Sequence, residues 1–78
     1  MEAKLQIRPG LLERLRAIGG ISSEEVQARM IGVDRTTLRR IDKGAPPSSA
    51  FIAQMVVTYG MGIGEMFEVI RPSERLVA

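Results

Sequence analysis

Glycine recurs along this chain at intervals that fit short helices, and these intervals constrain the fold more than any other feature. Gly19-Gly20, Gly32, Gly44 and Gly60 each close a stretch in which apolar residues recur three or four positions apart. Glycine directly after an apolar stripe commonly ends a helix. The pattern therefore predicts a mainly α protein, a bundle of about five short helices, and leaves room for short β segments at the two termini.

An extended segment is expected before the first helix. Leu5 and Ile7 alternate with polar residues, as in a strand with one buried face, and Pro9-Gly10 ends the alternation. The first helix is expected from about Pro9, which suits a first helical turn, to Ile18. Its apolar stripe consists of Leu11, Leu12, Leu15 and Ile18.

The second helix is expected to begin at a serine. Either Ser22 or Ser23 can serve as its N-cap. Ser22 and Glu25 have the spacing of a capping box, in which each side chain bonds to the backbone of the other residue. We expect this helix to end at about Met30 or Ile31.

A tight turn leads into the third helix. Gly32 can adopt the positive φ that such a turn needs, and Asp34 is a good N-cap. The third helix is expected from Asp34 to Lys43, where Gly44 ends it. With the second helix it forms a helix-turn-helix unit over about residues 22–43.

Two further helices are expected after the rigid segment Ala45-Pro46-Pro47. Ser48 or Ser49 caps the fourth helix, which ends at Tyr59, and a short fifth helix covers about residues 64–68. The residues that these helices would bury are Phe51, Ile52, Met55, Val56, Tyr59, Met66 and Phe67. Residues 69–78 could be extended, because Val69, Ile70, Leu76 and Val77 flank a turn-forming stretch.

The residues that are absent exclude several classes of function. The chain has no Cys and no His, which excludes disulfides, thiolate chemistry and the usual zinc sites. An enzyme is disfavoured, since helix capping explains the acid pair Glu24-Glu25. The 78 residues suffice for one domain, and we expect no cofactor and no small-molecule ligand.

The N-terminal and central segments favour a cytoplasmic protein. The N-terminus lacks a long apolar core followed by a small-residue cleavage site. Polar residues and glycines interrupt the apolar stretch from Phe51 to Phe67, which therefore falls short of the ~20 residues that span a bilayer.

The cations lie mainly in the first half of the chain and, within it, on the third helix. Residues 1–43 hold nine Lys and Arg against six acids, whereas residues 44–78 hold two Arg against three Glu. At about 100° per residue, the third helix places four cations and a threonine within an arc of about 140°. These residues are Arg35, Thr36, Arg39, Arg40 and Lys43. Leu38 and Ile41 lie on the opposite side.

This cationic arc has the chemistry of a helix that reads DNA. A charge run on a helix is usually a solvated face, but such a face more often mixes signs at i,i+4 spacing, and this arc contains no acid. Arginine binds guanine bidentately in the major groove, and threonine offers a hydroxyl and a methyl group to base edges. The arc therefore favours major-groove binding.

The segment from Gly32 to Gly44 resembles the turn and recognition helix of the lambda repressor and Cro-like helix-turn-helix family, including the closing Asp42-Lys43-Gly44. The similarity continues to residues 59–61 and 65–67 and covers about residues 9–67. It implies a phage or bacterial regulator that binds double-stranded DNA in the cytoplasm of a bacterial host cell. A Cro-like repressor that acts by occupying its operator is the expected function.

The resemblance also implies a role for individual residues. The residues expected at base edges are Arg35, Thr36, Arg39 and Arg40, with the adjacent phosphate as an alternative for Arg39. Lys43 would hold a phosphate, and Ser23 would offer a backbone or hydroxyl contact to another. Arg16 and Asp42 would form a structural ion pair.

The second helix departs from the family pattern at its start. The family usually places there a glutamine that clamps a phosphate, whereas this chain has Ser23-Glu24. A glutamate facing DNA would be repulsive. Either Glu24 turns aside or the clamp is lost.

The sequence also leaves undecided which residues of the second helix face the core. Val26 and Met30 form an apolar pair at i,i+4 spacing. Counting back from Gly32 instead places Ala28 at the family's small position and Gln27 where an aliphatic residue is expected. Relative to the family pattern, the chain has either a longer turn after the second helix or a longer loop before it.

Two classes of partner follow. A homodimer would place two third helices in successive major grooves of a near-palindromic operator. The alternative is a protein-interaction module on the same fold, an antitoxin or a phage-encoded adaptor, with Met55, Met61 and Met66 partly exposed to a partner. Plain core filling is the competing explanation for these methionines.

Overall fold

The computed structural model describes residues 3–71. In this range the chain is mainly helical, and a small antiparallel sheet joins its two ends, as the sequence predicts. The elements in chain order are β1 (Lys4–Ile7), α1 (Leu11–Gly19), α2 (Glu24–Ile31), α3 (Arg35–Asp42), α4 (Ser49–Tyr59), α5 (Ile63–Met66) and β2 (Phe67–Ile70).

Strands β1 and β2 pair antiparallel, with Ile7 opposite Phe67. The pairing places Val69 opposite Leu5 and Ile70 opposite Lys4. Residues 72–78, which include the predicted extended residues Leu76 and Val77, lie outside the described range.

The last helix is displaced from its predicted position. It was expected over residues 64–68, but α5 ends at Met66, because the backbone from Phe67 onward pairs with β1. Met66 and Phe67 are both buried, as predicted. Arg8 holds this junction, since its Nη2 donates to the Gly64 carbonyl at 2.9 Å and its Nη1 lies 3.4 Å from Glu68 Oε1.

The hydrophobic core draws on every element of the described fold. Its buried residues are Ile7, Leu11, Leu12, Ala28, Ile31, Leu38, Ile41, Phe51, Met55, Met66 and Phe67. The rings of Phe51 and Phe67 meet edge to face with centroids 6.3 Å apart, an arrangement that aromatic pairs prefer. Met55 and Met66 are fully buried and Met61 packs against the core, so these methionines fill the interior.

Helix α1 differs from its prediction at both ends. It begins at Leu11 rather than Pro9, because Gly10 takes the N-cap position with a φ of 77°. Leu15 is half-buried as expected, but Ile18 is 83% exposed, so the predicted stripe is wrong at its last member. The last turn of α1 extends past the core, and Ile18 points into solvent.

The N-cap of helix α2 is Ser23, whose Oγ accepts a hydrogen bond from the Val26 backbone N–H at 3.2 Å. The capping box predicted between Ser22 and Glu25 is therefore wrong. The Glu25 carboxylate instead lies 3.7 Å from Arg29, one helical turn further along. The serine that begins the helix is thus the second of the two candidates.

The register of α2 is settled by burial. Gln27 and Ala28 are buried, whereas Val26 is 38% and Met30 47% exposed. The residues that counting back from the turn places inward are therefore the buried ones, and the apolar i,i+4 pair does not face the core. The structure places a polar amide at a core position.

Gln27 is accommodated there by three hydrogen bonds. Its Nε2 donates to the Leu12 carbonyl at 3.0 Å and to the Tyr59 hydroxyl at 3.2 Å, and its Oε1 accepts from Arg16 Nη1 at 2.9 Å. A buried amide needs such partners. The predicted ion pair of Arg16 with Asp42 is wrong, because the guanidinium bonds to Gln27, and no ion pair joins the two residues in the described chain.

The turn between α2 and α3 depends on Gly32. Its φ is 97°, which side-chain-bearing residues rarely adopt, and a Cβ there would lie 3.2 Å from Gln54 Nε2 of α4. The start of α4 is also as predicted, since Ser48 Oγ accepts from the Phe51 N–H at 3.0 Å. Within residues 3–71, every helix falls short of the length and apolarity that crossing a bilayer requires.

Candidate nucleic-acid interface

Helix α3 starts and ends as its sequence predicts. Asp34 is the N-cap, and its Oδ1 accepts from the Thr37 backbone N–H at 3.2 Å. Hydrogen bonding by Thr37, through its side chain and its backbone, lowers the pKa of Asp34 below the ordinary value of 3.8. The ionised carboxylate also suits the positive end of the helix dipole, and Lys43 occupies the C-cap. Side chains from the sequence-predicted cap positions therefore satisfy the start of α3 and match the charge of its dipole.

Packing of α3 divides its surface into two sides. Leu38 and Ile41 are buried and anchor the helix on the core. The predicted arc faces solvent: its members, all exposed, are Arg35, Thr36, Arg39, Arg40 and Lys43. The structure therefore brings the five predicted residues together on one surface, which we call the α3 face.

An acid from α2 reaches this face. Glu24 Oε1 accepts a hydrogen bond from Arg39 Nε at 3.1 Å, and the side chains are 32% and 54% exposed, respectively. Glu24 does not turn aside from the α3 face, because it pairs with a cation of α3. Sequence reasoning missed this contact, although opposite charges on two helices joined by a tight turn were a usable signal.

The second predicted phosphate contact, Ser23, has a structural role in the free protein. Its Oγ accepts from the Val26 N–H and caps α2. The hydroxyl proton is a donor that this acceptor role does not consume. Ser23 can therefore cap the helix and donate to an anion at the same time.

Shallow clefts on the two sides of α3 differ in charge. One, of about 240 Å³, is lined by Thr37, Arg40, Ile41, Ala45, Pro46 and Ser48. The other, of about 230 Å³, is lined by Glu25, Ala28, Arg29, Val33, Asp34 and Arg35. Arg35 thus shares its surroundings with two carboxylates, whereas the lining of the cleft beside Arg40 has none.

No group of three or more acidic, His or Cys side chains that could hold a metal ion occurs among residues 3–71. Comparison of the chain with protein-family models, curated proteins and solved structures found no match.

Proposed function

We propose that the protein is a sequence-specific regulator of transcription that binds double-stranded DNA through α3 and represses by occupying its operator. The observation that carries the proposal is the α3 face, on which four exposed cations and a threonine stand opposite two buried aliphatic anchors. Such a face presents the side chains that contact bases and phosphates. The buried side of the helix anchors it on the core.

The dimensions of α3 are compatible with the major groove. An α-helix is about 10 to 12 Å across with its side chains, and the major groove is about 12 Å wide. The turn and its cap fix α3 relative to α2. An exposed helix that is held in this way can enter the groove with its cationic side chains first.

The roles proposed for individual residues follow from their chemistry. Arg35, Arg39 and Arg40 can donate to O6 and N7 of guanine, and Thr36 can contact a base through its hydroxyl or methyl group. Lys43 and Ser23 supply donors for phosphates. Phosphate contacts would fix the position of the protein, whereas the three arginines would select the sequence.

A homodimer extends this proposal to an operator. Two copies of α3 in successive major grooves would lie ~34 Å apart, which requires a near-palindromic site. Sedimentation of the protein alone and with its selected site tests this arrangement. A single monomer on the site would contradict the dimer and leave the binding helix unchanged.

The protein-interaction alternative loses its main support in the structure. It relied on partly exposed methionines, but Met55 and Met66 are buried and Met61 packs against the core. The apolar pair Val26 and Met30 remains exposed on α2, whereas the larger α3 face is cationic.

Selection of bound sites from random duplex DNA at ~150 mM salt tests the proposal, because this salt suppresses much of the non-specific phosphate attraction. The expected result is a sharp motif containing guanines. Recovery of unselected sequences would contradict sequence-specific binding and would favour the adaptor.

A further inference from the structure

The ion pair between Glu24 and Arg39 differs from the other ion pair made by α2. Glu25 and Arg29 lie on the same helix, 3.7 Å apart, with side chains about two thirds and three quarters exposed. Glu24 and Arg39 lie on different helices, 3.1 Å apart, and both are less exposed. The second pair therefore links the start of α2 to the middle of the α3 face.

The atom that Arg39 uses in this pair determines what its guanidinium can still do. Its Nε donates to Glu24 Oε1, and no other Arg39 side-chain hydrogen bond occurs within residues 3–71. The Nη1 and Nη2 groups at the tip remain available as donors. Guanine presents two acceptors, O6 and N7, that a guanidinium can bind at once.

We propose that Glu24 is a positioning residue that makes Arg39 selective for guanine by holding its Nε and presenting its two Nη groups to the base edge. The inference rests on the proposed DNA-binding function. The carboxylate restricts the rotamers of a long side chain and so reduces the entropy lost when the arginine meets a base.

The same carboxylate should weaken non-specific binding. With its Nε held by Glu24, Arg39 can reach a phosphate only through its Nη groups, and that contact would bring the Glu24 carboxylate close to the negatively charged backbone. A guanine contact through the Nη groups preserves the ion pair. Glu24 therefore disfavours phosphate contacts more than it disfavours the guanine contact, which is how it would increase discrimination.

The test compares Glu24→Gln with Glu25→Gln, which removes the same charge from the neighbouring position. Wild-type protein and both variants are titrated with the selected duplex, with duplexes substituted at each guanine, and with random duplex. For Glu24→Gln we expect random duplex to bind about threefold more tightly. We also expect about tenfold less discrimination at one guanine. Glu25→Gln should leave the discrimination at that guanine unchanged, because Glu25 pairs with Arg29 and not with Arg39.

A third variant separates positioning from charge. Arg39→Lys keeps the positive charge beside Glu24 but lacks the planar pair of donors. It should lose discrimination at the same guanine that Glu24→Gln affects. A position affected by Arg39→Lys but not by Glu24→Gln would show that Arg39 reads its base without help from Glu24.

The nuclear magnetic resonance signal of the Arg39 Nε–H in the free protein gives a readout that does not depend on DNA. Slow proton exchange is expected in wild type and in Glu25→Gln, and fast exchange in Glu24→Gln. Equal discrimination by the two glutamine variants would overturn the inference while the DNA-binding function stands. Absence of any selected motif for wild type would overturn both.

Discussion

Two of the polar side chains of helix α2, Glu24 and Gln27, are three residues apart and lie in opposite environments. Glu24 lies at the surface, where it pairs with an arginine of α3. Gln27 is fully buried, where its amide joins α1, α2 and α4 through three hydrogen bonds. The same short helix thus contributes a polar contact to the candidate interface and another to the core.

Because Gln27 is buried and Glu24 is partly exposed, the two side chains should affect different properties of the protein. An exposed ion pair contributes about 0 to 1 kcal/mol to stability, because water and ions screen it. A buried amide whose partners lose their hydrogen bonds costs about 1 to 3 kcal/mol when it is removed. Gln27 should therefore affect mainly the folding equilibrium, and Glu24 mainly the choice of DNA.

The largest expected effect on stability comes from Gln27→Leu. The leucine fits an apolar position, but the Leu12 carbonyl loses its side-chain donor, so the free energy of unfolding should fall by about 1 to 3 kcal/mol. Denaturant unfolding followed by circular dichroism measures this loss. Arg14→Leu, at an exposed position of α1, is the control and should change stability by less than about 0.5 kcal/mol. Equal effects would contradict the structural role of the network.

Tyr59→Phe should have a smaller effect on the same network. It removes one of the two acceptors of Gln27 Nε2 and leaves the Leu12 carbonyl bonded, so we expect a loss of about 0.5 to 1.5 kcal/mol. A double-mutant cycle with Gln27→Leu should show non-additivity, because the two substitutions remove a shared hydrogen bond. Strict additivity would mean that the two side chains do not interact.

Glu24→Gln should change stability least among these three variants. The ion pair with Arg39 is about one third to one half exposed, so its removal should cost less than about 1 kcal/mol. Thermal unfolding at low and high salt measures this effect, which salt should reduce. A loss as large as that of Gln27→Leu would remove the distinction between the two sides of α2.

The stability of the protein should also depend on pH through Asp34, the N-cap of α3. Its folded-state pKa is lowered by hydrogen bonding from Thr37, so its contribution to stability is present above the unfolded-state pKa and is lost as the pH falls through the folded-state pKa. Asp34→Asn keeps an N-cap that does not titrate. Between neutral pH and acid, wild type should therefore lose more stability than the variant. Parallel pH profiles would contradict this role.

The sequence predicted the boundaries of α3 and α4 well, because their caps are local. Asp34 and Ser48 accept hydrogen bonds three residues ahead, as capping serines and aspartates do, and the exposed arc of α3 follows from helical periodicity. The same periodicity failed for Ile18, because it defines a face of a helix but not how far the neighbouring elements extend along it.

Contacts between elements were harder to predict. The sequence predicted that Arg16 pairs with Asp42, but the Arg16 guanidinium donates to the buried Gln27 instead. The burial of Gln27 depends on how three helices pack, which the sequence does not show. The contact between Glu24 and Arg39 was missed for a related reason, since it depends on the angle at which α2 and α3 meet. The candidate site could thus be located from the sequence, while the internal partners of its side chains could not.

The central claim is that the α3 face reads DNA, and binding of Arg40→Ala and Lys43→Ala to the selected duplex tests it most directly. Arg40→Ala should cost about 1 to 3 kcal/mol and relax selectivity at one base pair. Lys43→Ala should weaken binding to all sequences alike and lower the salt slope by about one. Arg14→Ala, which removes an exposed cation of α1, is the control and should leave selectivity unchanged. Equal losses on selected and random DNA for all three variants would contradict the claim.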